Sequence, residues 1–223
     1  AVYCKDVPAT ALAVVADGTG TLTYQWYSNT TNSTTGGTAI SGATSASYTP
    51  ATDVVGTQYY YVVVGSDCGA AATSAVAAIT VNKPTAITSS PAEAVYCKDA
   101  TETALTVIAE GTGTLTYQWF SNTSNSTTGG TAISGATSAS YAPATDVVGT
   151  QYYYVVVGSD CGAAATSAVA AITVNKPTAI TSSPAEAVYC KDATETALTV
   201  IAEGTGTLTY QWFSNTSNST TGG

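Results

Sequence analysis

Five cysteines and a thin set of carboxylates are the side chains best equipped for chemistry in this sequence of 223 residues. Cys4, Cys97 and Cys190 lie 93 residues apart, and Cys68 and Cys161 are separated by the same 93. Two cysteines therefore belong to each period, and the partner of Cys190 is expected beyond residue 223. Thiols either pair as disulfides or bind metal. A metal site would need more ligands, and the sequence offers no His and no closely spaced Cys pair. Disulfides within each period are the expectation: Cys4 with Cys68 and Cys97 with Cys161. A loop of that length contributes about 4 kcal/mol in the chain-entropy description. Disulfides also imply an oxidising compartment, hence export.

The remaining candidates are weaker. Glu102, Glu110, Asp146 and Asp160 show none of the closely spaced acids that calcium requires, and they read as solvated turn residues. Without His there is no Ser–His or Cys–His set, and no cleft is implied that would pair two carboxylates. No cofactor is implied and no enzyme is expected. Asn29, Asn32, Asn122, Asn125, Asn215 and Asn218 each open an Asn-x-Ser/Thr acceptor sequence. Two readings stay open for that loop: glycosylated, or a bare polar loop. Lys83 or Lys98 joining an Asn in an isopeptide bond would need a buried Lys–Asn–acid triad, and is not expected.

These residues hang on a repeated framework. Residues 94–186 differ from 1–93 at nine positions, and 187–223 match 94–130 throughout. A 93-residue unit is too long for a solenoid turn and suits a self-contained β-sandwich. Val81-Asn82-Lys83-Pro84 and its copy at 174–177 punctuate the period. The expected division is 1–82, a repeat lacking its first strand; 83–175, a complete repeat; and 176–223, the front half of a third.

Within one unit, Leu115, Tyr117 and Trp119 alternate with Thr116, Gln118 and Phe120, which places Leu, Tyr and Trp on one face of a strand. Leu105, Val107 and Ala109 alternate likewise. Gln151 to Val157 is the strongest β signal, rich in aromatic and β-branched residues. Pro91 interrupts the first strand, as suits an edge or a break. About seven short strands with no helix give an all-β, two-sheet sandwich. The core is expected at Trp26, Trp119 and Trp212 with Tyr61 and Tyr154, and Leu115, Tyr117 and Trp119 should pack on Val107, Ala109, Tyr152 and Tyr154.

Composition narrows the partners. Five Lys face fourteen acids, for a net charge of -9, and only 9% of residues are charged. Nucleic acid and anionic membrane surfaces need clustered Lys and Arg, so both are excluded. No window approaches the length of a membrane span.

Tyr117-Gln118-Trp119, Gly135-Ala136-Thr137-Ser138 with Tyr141, Asp146 to Tyr154, and Cys161-Gly162 together resemble tandem immunoglobulin-like repeats of large exported bacterial surface adhesins, of the type associated with type IX secretion. The resemblance covers the whole unit and implies tandem immunoglobulin-like sandwiches. It further implies an extracellular stalk or filament, attached to a cell surface, whose partners are neighbouring repeats, other copies in a filament, or surface glycans. In antibody domains a cystine joins the sheets beside the Trp; here those positions fall at Ala109 and Tyr154, so the cystine moves to the end of the domain. An array of carbohydrate-binding modules and a laterally assembled multi-chain filament are the alternative readings.

Overall fold

A computed structural model describes residues 1–218 and 220. All of its regular structure is β, arranged as two similar bodies and the beginning of a third. The first body holds β1 (Val2–Cys4), β2 (Leu12–Ala13), β3 (Thr23–Asn29), β4 (Thr38–Ala39), β5 (Ser47–Tyr48), β6 (Gly56–Gly65), β7 (Ala72–Thr73) and β8 (Ala77–Asn82). The second comprises β9 (Ala86–Ser89), β10 (Ala94–Cys97), β11 (Leu105–Thr106), β12 (Ile108–Glu110), β13 (Thr116–Asn122), β14 (Thr131–Ala132), β15 (Ser140–Tyr141), β16 (Gly149–Gly158), β17 (Ala165–Thr166) and β18 (Ala170–Asn175). It adds two strands, β9 in front and β12 after β11. Then β19 (Ala179–Ser182) and β20 (Ile201–Glu203) form an antiparallel pair.

In the second body the larger sheet runs β10-β18-β16-β13-β14, with β17 on β16, and the facing layer is built from the pairs β11-β15 and β12-β9. The first strand segment therefore serves both layers. β9 pairs antiparallel with β12, and after the break at buried Pro91 the chain crosses over, so that β10 pairs parallel with β18. A proline between the halves suits this switch, because it removes a ladder donor where neither sheet needs one.

The core lies between the layers. Leu105, Val107, Trp119, Tyr153, Val155, Val157, Ala170 and Ile172 are buried together, with Ala109, Leu115, Tyr117 and Tyr141 against them. The expected faces of Leu105-Val107-Ala109 and Leu115-Tyr117-Trp119 are the ones observed. Trp119 is fully buried, and its indole Nε1–H donates to the Ser138 carbonyl at 2.9 Å, so the polar edge of the ring is satisfied.

Tyr61 and Tyr154 are buried as expected, but the packing partners expected of Tyr152 and Tyr154, and the burial expected of Trp212, need correction. Trp119 is in register with Val155, and Phe120 with Tyr154. Directly paired residues share a face, so Tyr153, and not Tyr152 or Tyr154, looks into the core. Tyr154 is buried on the opposite face, where its ring stacks on Phe120 at 5.0 Å; Tyr61 and Tyr27 do the same at 5.1 Å. Gly130 allows this: a Cβ there would fall 2.6 Å from the Tyr154 hydroxyl, so the 123–130 loop closes directly over the ring. Trp212 is 50% exposed, since no counterpart of β16 or β18 covers it among the described residues.

Candidate functional site

The cysteines mark the site, though not in the expected pairs. Cys4 is bonded to Cys161, across 157 residues of sequence, while Cys68, Cys97 and Cys190 are free and exposed. The expected bridges Cys4–Cys68 and Cys97–Cys161 are not formed, and strand direction is the reason. Because β10 runs parallel to β18, Cys97 lies beside Asn175 at the outgoing end of the body. Cys161 follows β16, which is antiparallel to β18, so its turn lies at the incoming end. Ten residues of β16 separate the two ends, about 30 Å at the rise of a strand. A cystine needs its Cα atoms within about 7 Å. Cys4 sits likewise beside Asn82 at the outgoing end of the first body, and there it meets the incoming end of the second, with Cα atoms 5.6 Å apart. The cystine joins two repeats.

The linker at this junction is fastened to two turns of the second body. Lys83 N–H donates to Thr112 Oγ1 at 2.8 Å, and Thr112 returns its own N–H to the Lys83 carbonyl at 3.1 Å. Thr85 N–H donates to the Cys161 carbonyl at 3.1 Å, and the Thr85 and Ser159 hydroxyls lie 2.7 Å apart. Lys83 Nζ pairs with Glu110 at 2.7 Å. Both partners are nearly half exposed, which limits that pair to under about 1 kcal/mol. Two glycines make the close approach feasible. Gly162 (φ +84°) presses on Pro84, and at Gly113 (φ +84°) a Cβ would collide with the Asp160 carboxylate. Cys161 is accordingly 1% exposed, whereas Cys68, on the matching turn of the first body, is exposed.

The carboxylates do not converge. Glu110 belongs to the Lys83 pair, Asp160 to the turn, and Asp146 lies near Tyr153. Among the described residues no group of three or more His, Cys, Asp or Glu could hold a metal ion. Lys98 pairs with neighbouring Asp99, and Lys83 with Glu110; neither is buried beside an Asn.

The acceptor asparagines divide. Asn122 is buried, and both hydrogens of its Nδ2 are used, on the carbonyls of Ser126 (2.9 Å) and Thr128 (3.0 Å). Asn29 makes the same pair of bonds to Ser33 and Thr35. In the folded state these two amides organise their loops and are not open to a sugar, which corrects the reading of them as acceptors. Asn32, Asn125, Asn215 and Asn218 are exposed.

No aromatic side chain within residues 1–175 is exposed. A recess in each body, beside Tyr48 and Tyr60 in the first and Tyr141 and Tyr153 in the second, is lined in equivalent ways. Those tyrosines are half-buried or buried, and burial pushes their phenols up from the usual value. In residues 176–218, by contrast, Tyr210, Trp212 and Phe213 are exposed beside an apolar groove.

Sequence reasoning missed Thr85, Thr112 and Ser159 as junction residues. The signal available was the Gly-Thr-Gly turn at 111–113, whose small residues permit close backbone approach.

The fold and its repeated junction define a tandem immunoglobulin-like protein. Solved structures agree at the level of fold. The I-band fragment I67-I69 from titin superposes with a TM-score of 0.54 at 12% identity, covering 82% of this chain and 65% of that one. An E-to-A variant of the same titin domains gives 0.52 at 15% identity, covering 78% and 62%. Immunoglobulin domains 1-5 of Sidekick-1 give 0.39 at 14% identity, covering 92% and 45%. The chain thus spans less than two thirds of each of these structures. Within that class, it belongs to the family described as "Domain of unknown function (DUF8696)", whose profile matches residues 1–83 and again 85–176. No curated protein shows significant similarity to it. Among the described residues, no helix is long and apolar enough to cross a membrane.

Proposed function

We propose that the chain is a stretch of extracellular stalk: immunoglobulin-like repeats, divided at 1–82, 83–175 and 176–223, that hold other parts of a bacterial surface protein away from the cell. The observation that carries this reading is the Cys4–Cys161 cystine. The cystine ties the first repeat to the second, and the contacts of Lys83 and Thr85 hold the linker rigidly on the second, which is what a spacer transmitting force requires. The motif resemblance to type IX-exported adhesins supplies the bacterial surface setting. A cystine, low charge and acidic surface suit an oxidising exterior.

The carbohydrate-binding alternative needs exposed aromatic rings for stacking, and the burial or half-burial of every aromatic in residues 1–175 disfavours it. Lateral assembly into a filament has no observation in its favour. The test is protease shaving of intact source cells. Peptides from residues 83–175 should be released from the cell surface with the cystine intact. Recovery only from the cytosol with all cysteines reduced would refute the stalk, and specific capture by a glycan array would replace it with the binding module.

A further inference from the structure

The closed junction between the first two repeats has a half-built copy at Asn175. We infer that Cys97 is a covalent docking site for a following repeat of this family, joining the cysteine of that repeat's late turn, and that Cys68 is the reciprocal site for a preceding one. Each repeat then gives one cysteine forward and one back, and every junction is cross-linked in the same register.

Three observations carry this, and they hold whether or not the chain is a stalk. First, Cys97 is presented as Cys4 is. It is in register with Asn175 as Cys4 is with Asn82. Lys98 N–H reaches the Asn175 carbonyl at 2.8 Å, as Lys5 N–H reaches that of Asn82 at 3.0 Å. Asp6 and Asp99, two residues on, share the left-handed conformation, with φ of 64° and 61°. Second, the linker after Asn175 is already fastened as the linker after Asn82 is. Lys176 N–H donates to Thr205 Oγ1 at 2.6 Å, Thr205 N–H returns to the Lys176 carbonyl at 3.0 Å, and Lys176 pairs with Glu203 at 2.7 Å. Third, the turn bearing Cys68 is formed before it has a partner. Asp67 N–H donates to the Thr19 carbonyl at 3.2 Å, as Asp160 does to Thr112 at 3.1 Å. The Ser66 hydroxyl donates to the Cys68 carbonyl at 2.7 Å, as Ser159 does to Cys161 at 3.0 Å.

The bond forms by oxidation. Two thiols lose two electrons and two protons as the S–S bond closes, and oxidised glutathione accepts them, leaving as two molecules of reduced glutathione.

The test uses the whole chain, alone and lengthened by one more period with the sequence of residues 131–223. Both are refolded in a glutathione redox buffer, alkylated, digested without reduction and mapped by mass spectrometry. In the original chain the Cys4–Cys161 peptide should appear, with Cys97 fully alkylated. In the lengthened chain Cys97 should lose at least nine-tenths of its alkylation and appear joined to the cysteine 93 positions beyond Cys161. A Cys161→Ser variant of the lengthened chain should free Cys4 and leave the Cys97 bridge in place. Alkylated Cys97 in the lengthened chain, its bonding to Cys161, or its bonding only between separate molecules would each overturn the inference.

Discussion

Reducing the cystine should lengthen the chain under load by a calculable amount. With the Cys4–Cys161 bond closed, force applied to the two ends passes through the sulfur bridge and bypasses everything between. The bridge spans 157 residues of sequence, so its loss brings about 530 Å of contour into play, at roughly 3.4 Å per extended residue. Pairing within each repeat would behave differently. Two loops of 64 residues would each hide about 215 Å at the same reach and release it separately. The assay is single-molecule stretching of the end-tethered chain, with and without reductant, and with Cys161→Ser as a control. Oxidised chains should show no unfolding events from the first repeat; reduced chains and the variant should show them, with the full gain. Two gains near 215 Å, or traces indifferent to reductant, would refute the connectivity and the argument from strand direction behind it.

Further outcomes follow from the same geometry. Trp119→Ala removes a fully buried indole and should destabilise its repeat by about 3–5 kcal/mol, read as an early melting step by calorimetry with the first repeat's transition retained. Asn122→Ala leaves the Ser126 and Thr128 carbonyls without their donor. It should cost about 1–3 kcal/mol and open the loop to proteolysis, whereas Asn125→Ala should do neither. Lys83→Ala should change stability by less than about 1 kcal/mol in denaturant titrations and abolish little else, because the pair is exposed. Burial, then the neighbouring Tyr141 and Asp146, raise the Tyr153 phenol, and burial raises Tyr141. A raised folded-state pKa contributes stability that is intact below the ordinary phenol value near 10 and is lost as pH climbs through the raised one. Denaturant midpoints should therefore hold steady on this account up to about pH 10 and fall above it, in step with tyrosinate absorbance.

How much of this was legible in the sequence depends on what each residue pattern encodes. Leu115-Tyr117-Trp119 alternates with polar neighbours, so the order of the residues alone announces its buried face. Tyr152 to Val157 carries no alternation at all. Its facing is set by register, Thr116 opposite Gly158 and Trp119 opposite Val155, and a uniform run cannot reveal register. The period assigned two cysteines to each repeat but not the end at which each emerges. That depended on the parallel pairing of β10 with β18, a contact between segments some 75 residues apart. Asn122 matched an acceptor motif, yet Asn also hydrogen-bonds its own local backbone, and the fold uses it for that: Ser124 N–H donates to Asn122 Oδ1 at 3.2 Å.

Adjacent repeats this alike are prone to exchange strands while folding, since each offers its neighbour an almost identical template. A bridge confined to one repeat would close as soon as that repeat collapsed, whatever its neighbour had done. The Cys4–Cys161 bridge is different: Cys4 is placed only when β1 has docked on β8, and Cys161 only when the turn after β16 has settled on the Lys83–Thr85 linker. Its closure is therefore a chemical record that two successive repeats have each folded on their own strands. An exchanged pair would leave Cys4 and Cys161 apart, so this one bond distinguishes the correctly threaded chain from its swapped alternatives.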